Sequence, residues 1–349
     1  MKKIFNTSTI ALVLLVSGIL VLPTSCKKDL LDQTPTGELA SVNFWKTDAD
    51  ATIALMAAYA SARAVFDRDY YFEGHGEFTR VRGTSATSGS ILRGDAYQGA
   101  SYGPSGYGAS FDKYFSYLYG TVNRTNYVIE NINNRMIPGA TGARLATLES
   151  IIAEARLLRG MTYFRLISMW GDVPYIGRII YDNSEVKDIK RLPIGQVKDS
   201  ILADFNYAVS NLPAKPSALG RAGKPAALAF RGKLNLYWGS WKKNGWPELE
   251  GFTQNPAEAQ TAFAAAAADF KSVINDYGLT LYKNGDAGSI DALGKADILP
   301  NYFELFTPKA NGATEMIMAF THSGTPTNPS QGEELMHDFS GRTVEGSQC

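Results

Sequence analysis

Apolar residues recur every three to four positions over most of the chain, which is the spacing of helices with one buried face. Breakers separate these stretches, since Gly171 and Pro174 follow the third of them, Pro213 the fourth and Gly278 the last. Strand patterns are sparse, and the best is short, at residues 315–320. The sequence therefore predicts a mainly α fold with long irregular loops, few short strands, and helices over residues 51–65, 111–132, 144–170, 196–211, 225–241 and 257–276.

Two of the predicted helix pairs are alike, which indicates a helical repeat. The matching elements are residues 203–209 with 268–274, Arg159-Gly160 with Arg231-Gly232, and Trp170-Gly171 with Trp238-Gly239. A small residue followed four positions later by a phenylalanine, as in Ala266 and Phe270, resembles the second helix of a tetratricopeptide unit. Such spacing also occurs in unrelated helix pairs. Two copies in matching context favour a tetratricopeptide-like core.

The amino-terminal segment has the pattern of a secretion leader. Lys2 and Lys3 precede an apolar run of thirteen residues at 10–22, whereas a membrane-spanning helix needs about 20. The run leads into LPTSC at 22–26, which resembles a bacterial lipoprotein processing site. We therefore expect residues 1–25 to be removed and Cys26 to carry lipid. The alternatives are a leader that ends near a cysteine by coincidence, and a disulfide between Cys26 and Cys349.

A segment rich in glycine and tyrosine lies between the first two predicted helices. Residues 74–108 contain nine glycines and eight serines or threonines, with tyrosines in or beside them. A loop of this length is uncommon in a compact domain unless it is functional or disordered. Its composition is typical of a surface loop that displays aromatic rings. A second aromatic group, around Trp246, follows a helix end and is either exposed or closes the helix junction.

Charge and motif content disfavour several function classes. The 34 Lys and Arg residues balance the 34 Asp and Glu residues, so a nucleic-acid partner is not expected. His75, His322 and His337 lack metal-ligand spacing, and no dinucleotide or nucleophile-elbow motif is present. Residues 220–224, GRAGK, lack the first glycine and the hydroxyl of a phosphate-binding loop. We expect no cofactor, no metal and no catalytic residue, although the sequence leaves a pair of glycosidase carboxylates open.

The aromatic groups suit a saccharide ligand. A pyranose ring has an apolar face of C–H bonds and a rim of hydroxyls, so aromatic rings stack on the face while polar side chains bond the rim. Each tyrosine taken singly has packing as its alternative role. Tyr97 and Tyr102 are the strongest candidates, and the full set of predicted glycan-binding residues is Tyr70, Tyr71, Tyr97, Tyr102, Tyr107, Arg93, Asp95 and Trp246.

Four stretches of the sequence, taken in order, carry a family resemblance. They are residues 26–32 (CKKDLLD), 43–47 (NFWKT), 153–174 (beginning AEARLLR and ending WGDVP) and 226–239 (ending YWG). Together they resemble the SusD/RagB family of outer-membrane lipoproteins of Bacteroidetes. The tetratricopeptide-like helical core of that family agrees with the repeat described above.

The resemblance implies a non-catalytic glycan-binding protein on the outer face of the outer membrane, held there by Cys26. It implies a SusC-like TonB-dependent transporter as the partner that receives the oligosaccharide. It also implies structural roles for Arg156, Arg159 and Trp170. Family members are usually longer, so we expect a leader at 1–25, an amino-terminal region at 26–220 and an incomplete carboxy-terminal region at 221–349.

Two other function classes are kept as alternatives. One is a lipid-anchored extracellular glycoside hydrolase, and the other is a helical-repeat scaffold that binds peptide or protein. A hydrolase would release reducing ends from a polysaccharide, whereas a scaffold would ignore glycans. The glycine-rich and tyrosine-rich segment favours a sugar ligand over a peptide.

Overall fold

The computed structural model describes residues 44–66, 111–246, 250–288, 300–310 and 312–321, and these residues form a mainly α structure. Each of the six predicted helices is confirmed, with ends that differ by a few residues from the prediction. The helices are α1 (Asp48–Phe66), α2 (Phe111–Asn131), α3 (Gly142–Trp170), α4 (Ile194–Asn211), α5 (Lys224–Asn244), α6 (Pro256–Asp276) and a short α7 (Pro300–Leu305). A π-helical turn, Ile132–Met136, extends α2.

Local sequence signals set several of the helix ends. Asn255 precedes α6 and its side chain accepts a hydrogen bond from the backbone N–H of Glu258 (3.1 Å). Pro225 lies in the first turn of α5, where its missing N–H costs nothing. Gly171 ends α3 in a conformation with φ +69°, which glycine adopts more easily than other residues. These signals explain why the boundaries could be predicted closely.

The six long helices alternate in direction. Tyr114, near the start of α2, stacks on Trp170 at the end of α3 with ring centroids 6.5 Å apart. Gly239, near the end of α5, lies against Phe263, near the start of α6. Helices α1, α3 and α5 therefore point one way and α2, α4 and α6 the other. It follows that the last residues of α1, α3 and α5 lie at the same end of the array as the first residues of α2, α4 and α6.

The repeat is confirmed by two equivalent ion pairs. In the first, Nη2 of Arg159 on α3 lies 2.7 Å from Oδ1 of Asp204 on α4. In the second, Nη2 of Arg231 on α5 lies 2.6 Å from Oδ1 of Asp269 on α6. Arg156 also donates to Asp204 (2.7 Å). The aspartate of each pair is buried, so each helix pair carries a negative charge that is neutralised by arginine on the partner helix.

The same arginines join one helix pair to the next. Nη1 of Arg159 donates to the side-chain oxygen of Asn126 on α2 (2.8 Å), and Nη1 of Arg231 donates to that of Asn206 on α4 (2.9 Å). This bond therefore crosses between successive pairs and fixes their register. The structural role predicted for Arg159 thus has a direct geometric basis.

A glycine lets the two helices of each pair approach closely. A Cβ placed on Gly160 would lie 2.5 Å from Cε1 of Phe205, and one placed on Gly232 would lie 2.7 Å from Cε1 of Phe270. Neither glycine needs an unusual backbone angle, so close contact with the phenylalanine ring is the reason for the glycine. The aligned glycines and phenylalanines of the sequence are therefore contact partners.

Residues 174–180, after α3, are held by side chains rather than by a neighbouring strand. The Asn126 amide on α2 donates to the carbonyls of Ile176 and Arg178, while Asn123 both donates to and accepts from the backbone of Ile180. The Tyr163 hydroxyl accepts from the N–H of Ile176 (2.7 Å). Backbone polar groups in this irregular segment are thereby satisfied without a sheet.

The predicted strand at residues 315–320 is wrong. These residues form turns and irregular backbone, and the part of the chain that the structure describes contains one isolated β-bridge, Val173 with Leu192, and no strand. Phe320 instead stacks on Phe66 at the end of α1, with ring centroids 5.9 Å apart. Phe320 packs on a helix, so this short apolar run includes contact with α1 and forms no sheet pairing among the described residues.

All the described helices belong to one compact unit, which begins at Trp45. Among the described helices, none is both long enough and apolar enough to cross a bilayer.

Candidate functional site

The structure positions one of the predicted glycan-binding residues, Trp246. The other predicted site residues lie outside the described residues, and so does the predicted lipid-bearing cysteine; they are Tyr70, Tyr71, Arg93, Asp95, Tyr97, Tyr102, Tyr107 and Cys26. Trp246 lies in the connection between α5 and α6, at the end of the array where α1 ends and α2 begins. The described part of the candidate site is therefore the α5–α6 junction.

Three backbone hydrogen bonds hold the described residues of the α5–α6 junction. Gly245 ends α5 with φ +72°, and its N–H donates to the carbonyl of Trp241 (2.6 Å). The N–H of Trp246 donates to the carbonyl of Phe252 (2.9 Å), across the residues that the structure leaves undescribed. A further bond joins the N–H of Asn255 to the carbonyl of Lys242 (2.8 Å). Trp246 is thus presented from a fixed turn.

The rings at the junction divide into a buried part and an exposed part. Phe252 is 3% exposed and stacks on Trp241, with ring centroids 4.5 Å apart and planes 23° apart. Trp246 is 45% exposed and meets Trp241 edge to face at 5.8 Å. Both roles that the sequence left open therefore occur together: Phe252 closes the junction, and Trp246 offers ring surface to solvent.

Trp238 is a buried side chain next to the α5–α6 junction, where its ring contacts Phe252. It is 6% exposed, and its indole N–H donates to Oε1 of Glu258 at the start of α6 (2.6 Å). The ammonium groups of Lys198 and Lys242 each lie 5.0 Å from the centre of its ring. Lys242 also pairs with Glu258, at 3.4 Å. These contacts tie α4, α5 and α6 together beneath the exposed ring.

Polar side chains border Trp246. Lys243, Asn244 and Gln254 are exposed in the same turn, and the amide of Gln254 donates to the carbonyl of Lys243 (2.9 Å). Gln254 lies close beside Gly245, since a Cβ on that glycine would be 3.1 Å from the Gln254 Cβ. An exposed indole with amide and ammonium groups around it can stack on an apolar ring face and bond the hydroxyls at its rim.

Buried carboxylates elsewhere in the described residues are bound to arginines. Glu154 on α3 pairs with Arg221, and the hydroxyl of Tyr59 donates to it (2.7 Å). Burial, together with the Glu154 charge, raises the pKa of Tyr59 well above its ordinary value. Asp204 and Asp269 are the acids of the repeat ion pairs. These three carboxylates serve the helix packing, and no cluster of three metal-binding side chains occurs among the residues described.

A family model described as "Starch-binding associating with outer membrane", of the SusD-like type, matches residues 31–236. The match covers more than half of the chain and includes α1 to α4 and most of α5. The chain belongs to this SusD-like family. The resemblance derived from the sequence is thereby confirmed, and so is the helical-repeat fold expected from it.

Two curated SusD-like relatives match large parts of the chain. SusD-like protein P2 of Formosa agariphila is 26% identical over 225 residues, which are 61% of this chain and 41% of the relative. A SusD-like protein of Bacteroides ovatus is 25% identical over 315 residues, which are 88% of this chain and 48% of the relative. The chain therefore spans less than half the length of these two relatives.

Solved structures, SusD-like proteins among them, share the fold. A laminarin-binding SusD-like protein matches with a TM-score of 0.55 and 23% identity, over 80% of this chain and 52% of its own. A structure solved with xylogluco-oligosaccharide matches with a TM-score of 0.57 and 22% identity, over 83% of this chain and 50% of its own. A SusD homologue from Bacteroides thetaiotaomicron matches with a TM-score of 0.54 and 21% identity, over 70% of this chain and 44% of its own. Because the sequence identities to these structures are 21–23%, the structural matches establish the fold alone.

Proposed function

We propose that this chain is a cell-surface carbohydrate-binding lipoprotein that captures oligosaccharide without cleaving it. The observation that carries the proposal is the exposed Trp246 ring on a rigid turn, in a chain of a family described as starch-binding. Two structural neighbours of the same fold, one a laminarin-binding SusD-like protein and one solved with xylogluco-oligosaccharide, support an oligosaccharide as the ligand.

The proposed binding surface is one end of the helical array. Trp246 lies at this end, and the connection with the candidate tyrosines leaves α1 after Phe66 and enters α2 at Phe111 at the same end. Tyr97 and Tyr102 of that connection are proposed as further stacking residues, with Arg93 and Asp95 as hydrogen-bonding partners and Tyr70, Tyr71 and Tyr107 as secondary contacts.

The proposed partner is a SusC-like TonB-dependent transporter in the outer membrane. In this scheme Cys26 carries the lipid that holds the protein at the exterior face, and the bound oligosaccharide passes from the protein into the transporter. The family description, which places these proteins at the outer membrane, supports this arrangement.

Trp246→Ala is expected to weaken oligosaccharide binding by about 1–3 kcal/mol, because the variant loses the stacking surface while the buried Phe252 and Trp241 stay in place. Tyr97→Ala and Tyr102→Ala are expected to have losses of the same size. Isothermal titration calorimetry against oligosaccharides from starch, laminarin and xyloglucan measures the effect.

Tyr181→Ala is the matched control for these variants. Tyr181 is 77% exposed but follows residues that pack along the middle of α2, away from the proposed end. Its removal should leave the affinity unchanged. Equal binding by wild type, Trp246→Ala, Tyr97→Ala and Tyr102→Ala would remove both aromatic groups from the site.

Cys26→Ala is expected to abolish lipid attachment, since the thiol is the proposed acylation site. Cells that express the wild-type chain and are fed an alkyne-tagged fatty acid should yield a labelled protein in the outer-membrane fraction. The variant should be unlabelled and should leave that fraction. Equal labelling of the two proteins would show that Cys26 is not the anchor.

A further inference from the structure

A second exposed aromatic surface lies on and just after α7, a helix that the sequence analysis did not single out. Tyr302 is 61% exposed and Phe306, four positions later, is 72% exposed. Their ring centroids are 5.2 Å apart and the planes meet at 73°. Neighbouring large aromatic side chains that are both exposed to solvent often mark a site where a soluble protein binds a ligand or a partner.

A hydrogen-bonding cluster is built around the same short helix. Glu304, between the two rings in sequence, accepts from the ammonium groups of Lys283 and Lys309, the latter at 2.9 Å. Lys283 also donates to the side-chain oxygen of Asn301 (2.7 Å). The hydrogen bonds from the two lysines lower the pKa of Glu304 to about 2, so the carboxylate is charged at any physiological pH.

The charges decide what kind of ligand this surface fits. An apolar protein segment docked on the rings would have to cover two ammonium groups and a carboxylate, and charged groups are depleted at the centres of protein interfaces because their desolvation is costly. A saccharide avoids that cost, since its hydroxyls replace water at the charged groups while its C–H face covers a ring. The combination of exposed rings and fixed charges therefore favours a sugar.

We propose that Tyr302 and Phe306, together with Lys283 and Glu304, form a second saccharide-binding surface on this chain. The proposal rests on the proposed function, because it assigns to the same class of ligand a second place on the molecule. A saccharide ring stacks on one of the two exposed rings, and its hydroxyls bond the lysine and the carboxylate.

The two surfaces lie before and after the same helix. The α5–α6 junction precedes Pro256, the first residue of α6, whereas the second surface is built from residues that follow its last residue, Asp276. A helix of this length measures about 30 Å. We therefore expect oligosaccharides of a few sugar units to bind the two surfaces separately, with a stoichiometry of two per chain.

The test uses the full chain in a background that combines Trp246→Ala, Tyr97→Ala and Tyr102→Ala, which removes the proposed stacking residues of the first surface. Tyr302→Ala combined with Phe306→Ala should lower the remaining affinity for six-unit oligosaccharides from starch, laminarin and xyloglucan by about tenfold in calorimetry. Both side chains are exposed, so the melting temperature should not change. Phe306→Trp, which keeps an aromatic ring, should retain binding.

Ile274→Ala and Leu281→Ala are the matched controls. These side chains are 69% and 61% exposed and lie in the same region, but they are aliphatic. Both controls should bind sugar as the background does. A loss equal to that of the ring variants would indicate a general apolar surface and overturn the proposal.

The outcomes separate the second surface from the proposed function. If Trp246→Ala weakens binding while the ring variants change nothing, the second surface is wrong and the proposed function stands. If the wild-type chain binds none of the oligosaccharides, both are wrong. A stoichiometry of one for a short oligosaccharide would also contradict the second surface.

Discussion

Asp204→Ala is expected to lower the free energy of unfolding by about 3–5 kcal/mol, the range for breaking a buried ion pair by removing one partner. The Asp204 side chain is 1% exposed and accepts hydrogen bonds from both Arg156 and Arg159. Its loss leaves the buried Arg159 guanidinium without its counter-charge, and the bond from Arg159 to Asn126 cannot supply one. Denaturant unfolding followed by circular dichroism measures the change.

Asp199→Ala is the control for this variant. Asp199 is on the same helix and also pairs with a basic residue, Lys198, but its side chain is 70% exposed. Pairs that solvent reaches this easily contribute little, so the control should shift stability by well under 1 kcal/mol. Equal effects of the two substitutions would contradict the assignment of Asp204 as the buried centre of the repeat.

Phe205→Ala is expected to destabilise the fold by about 3–5 kcal/mol, because Phe205 is fully buried and its ring fills the space that Gly160 leaves open. Phe270→Ala should cost less, since the equivalent ring on α6 is only half-buried. Thermal unfolding of both variants measures the difference. A larger loss at Phe270 than at Phe205 would contradict the packing described here.

The helices and the repeat could be predicted because their signals are local. Apolar spacing marks each helix, stop residues such as Gly171 and Gly278 mark some of the helix ends, and the matching Arg-Gly and Trp-Gly pairs mark the repeat. Even so, the roles of Asn126 and Asn206 were missed. These asparagines lie one helix pair away from the arginines they bind, and nothing in the sequence marks that pairing.

The strand predicted at residues 315–320 is wrong because a short run of apolar residues does not say what the segment packs against. Phe320 meets Phe66 and Tyr59 of α1, more than 250 residues earlier in the chain, and no strand lies beside it in the described structure. Only the folded chain determines which element such a run contacts.

The candidate site could be predicted as a kind of surface rather than as a set of contacts. Trp246 was selected because it follows a helix end, and the structure confirms that it is exposed there. The sequence prediction does not include Tyr302 and Phe306. Tyr302 lies in α7 and Phe306 directly follows the helix, so helical spacing alone does not identify the pair. Exposure itself depends on the rest of the fold and cannot be read from such spacing.

Calorimetry of the purified wild-type chain with oligosaccharides from starch, laminarin and xyloglucan, combined with an assay for released reducing ends, tests the central claim most directly. The account predicts saturable binding of at least one of these ligands, weakened by Trp246→Ala, and an unchanged ligand after prolonged incubation. Release of new reducing ends, or no binding to any of the ligands, would contradict it.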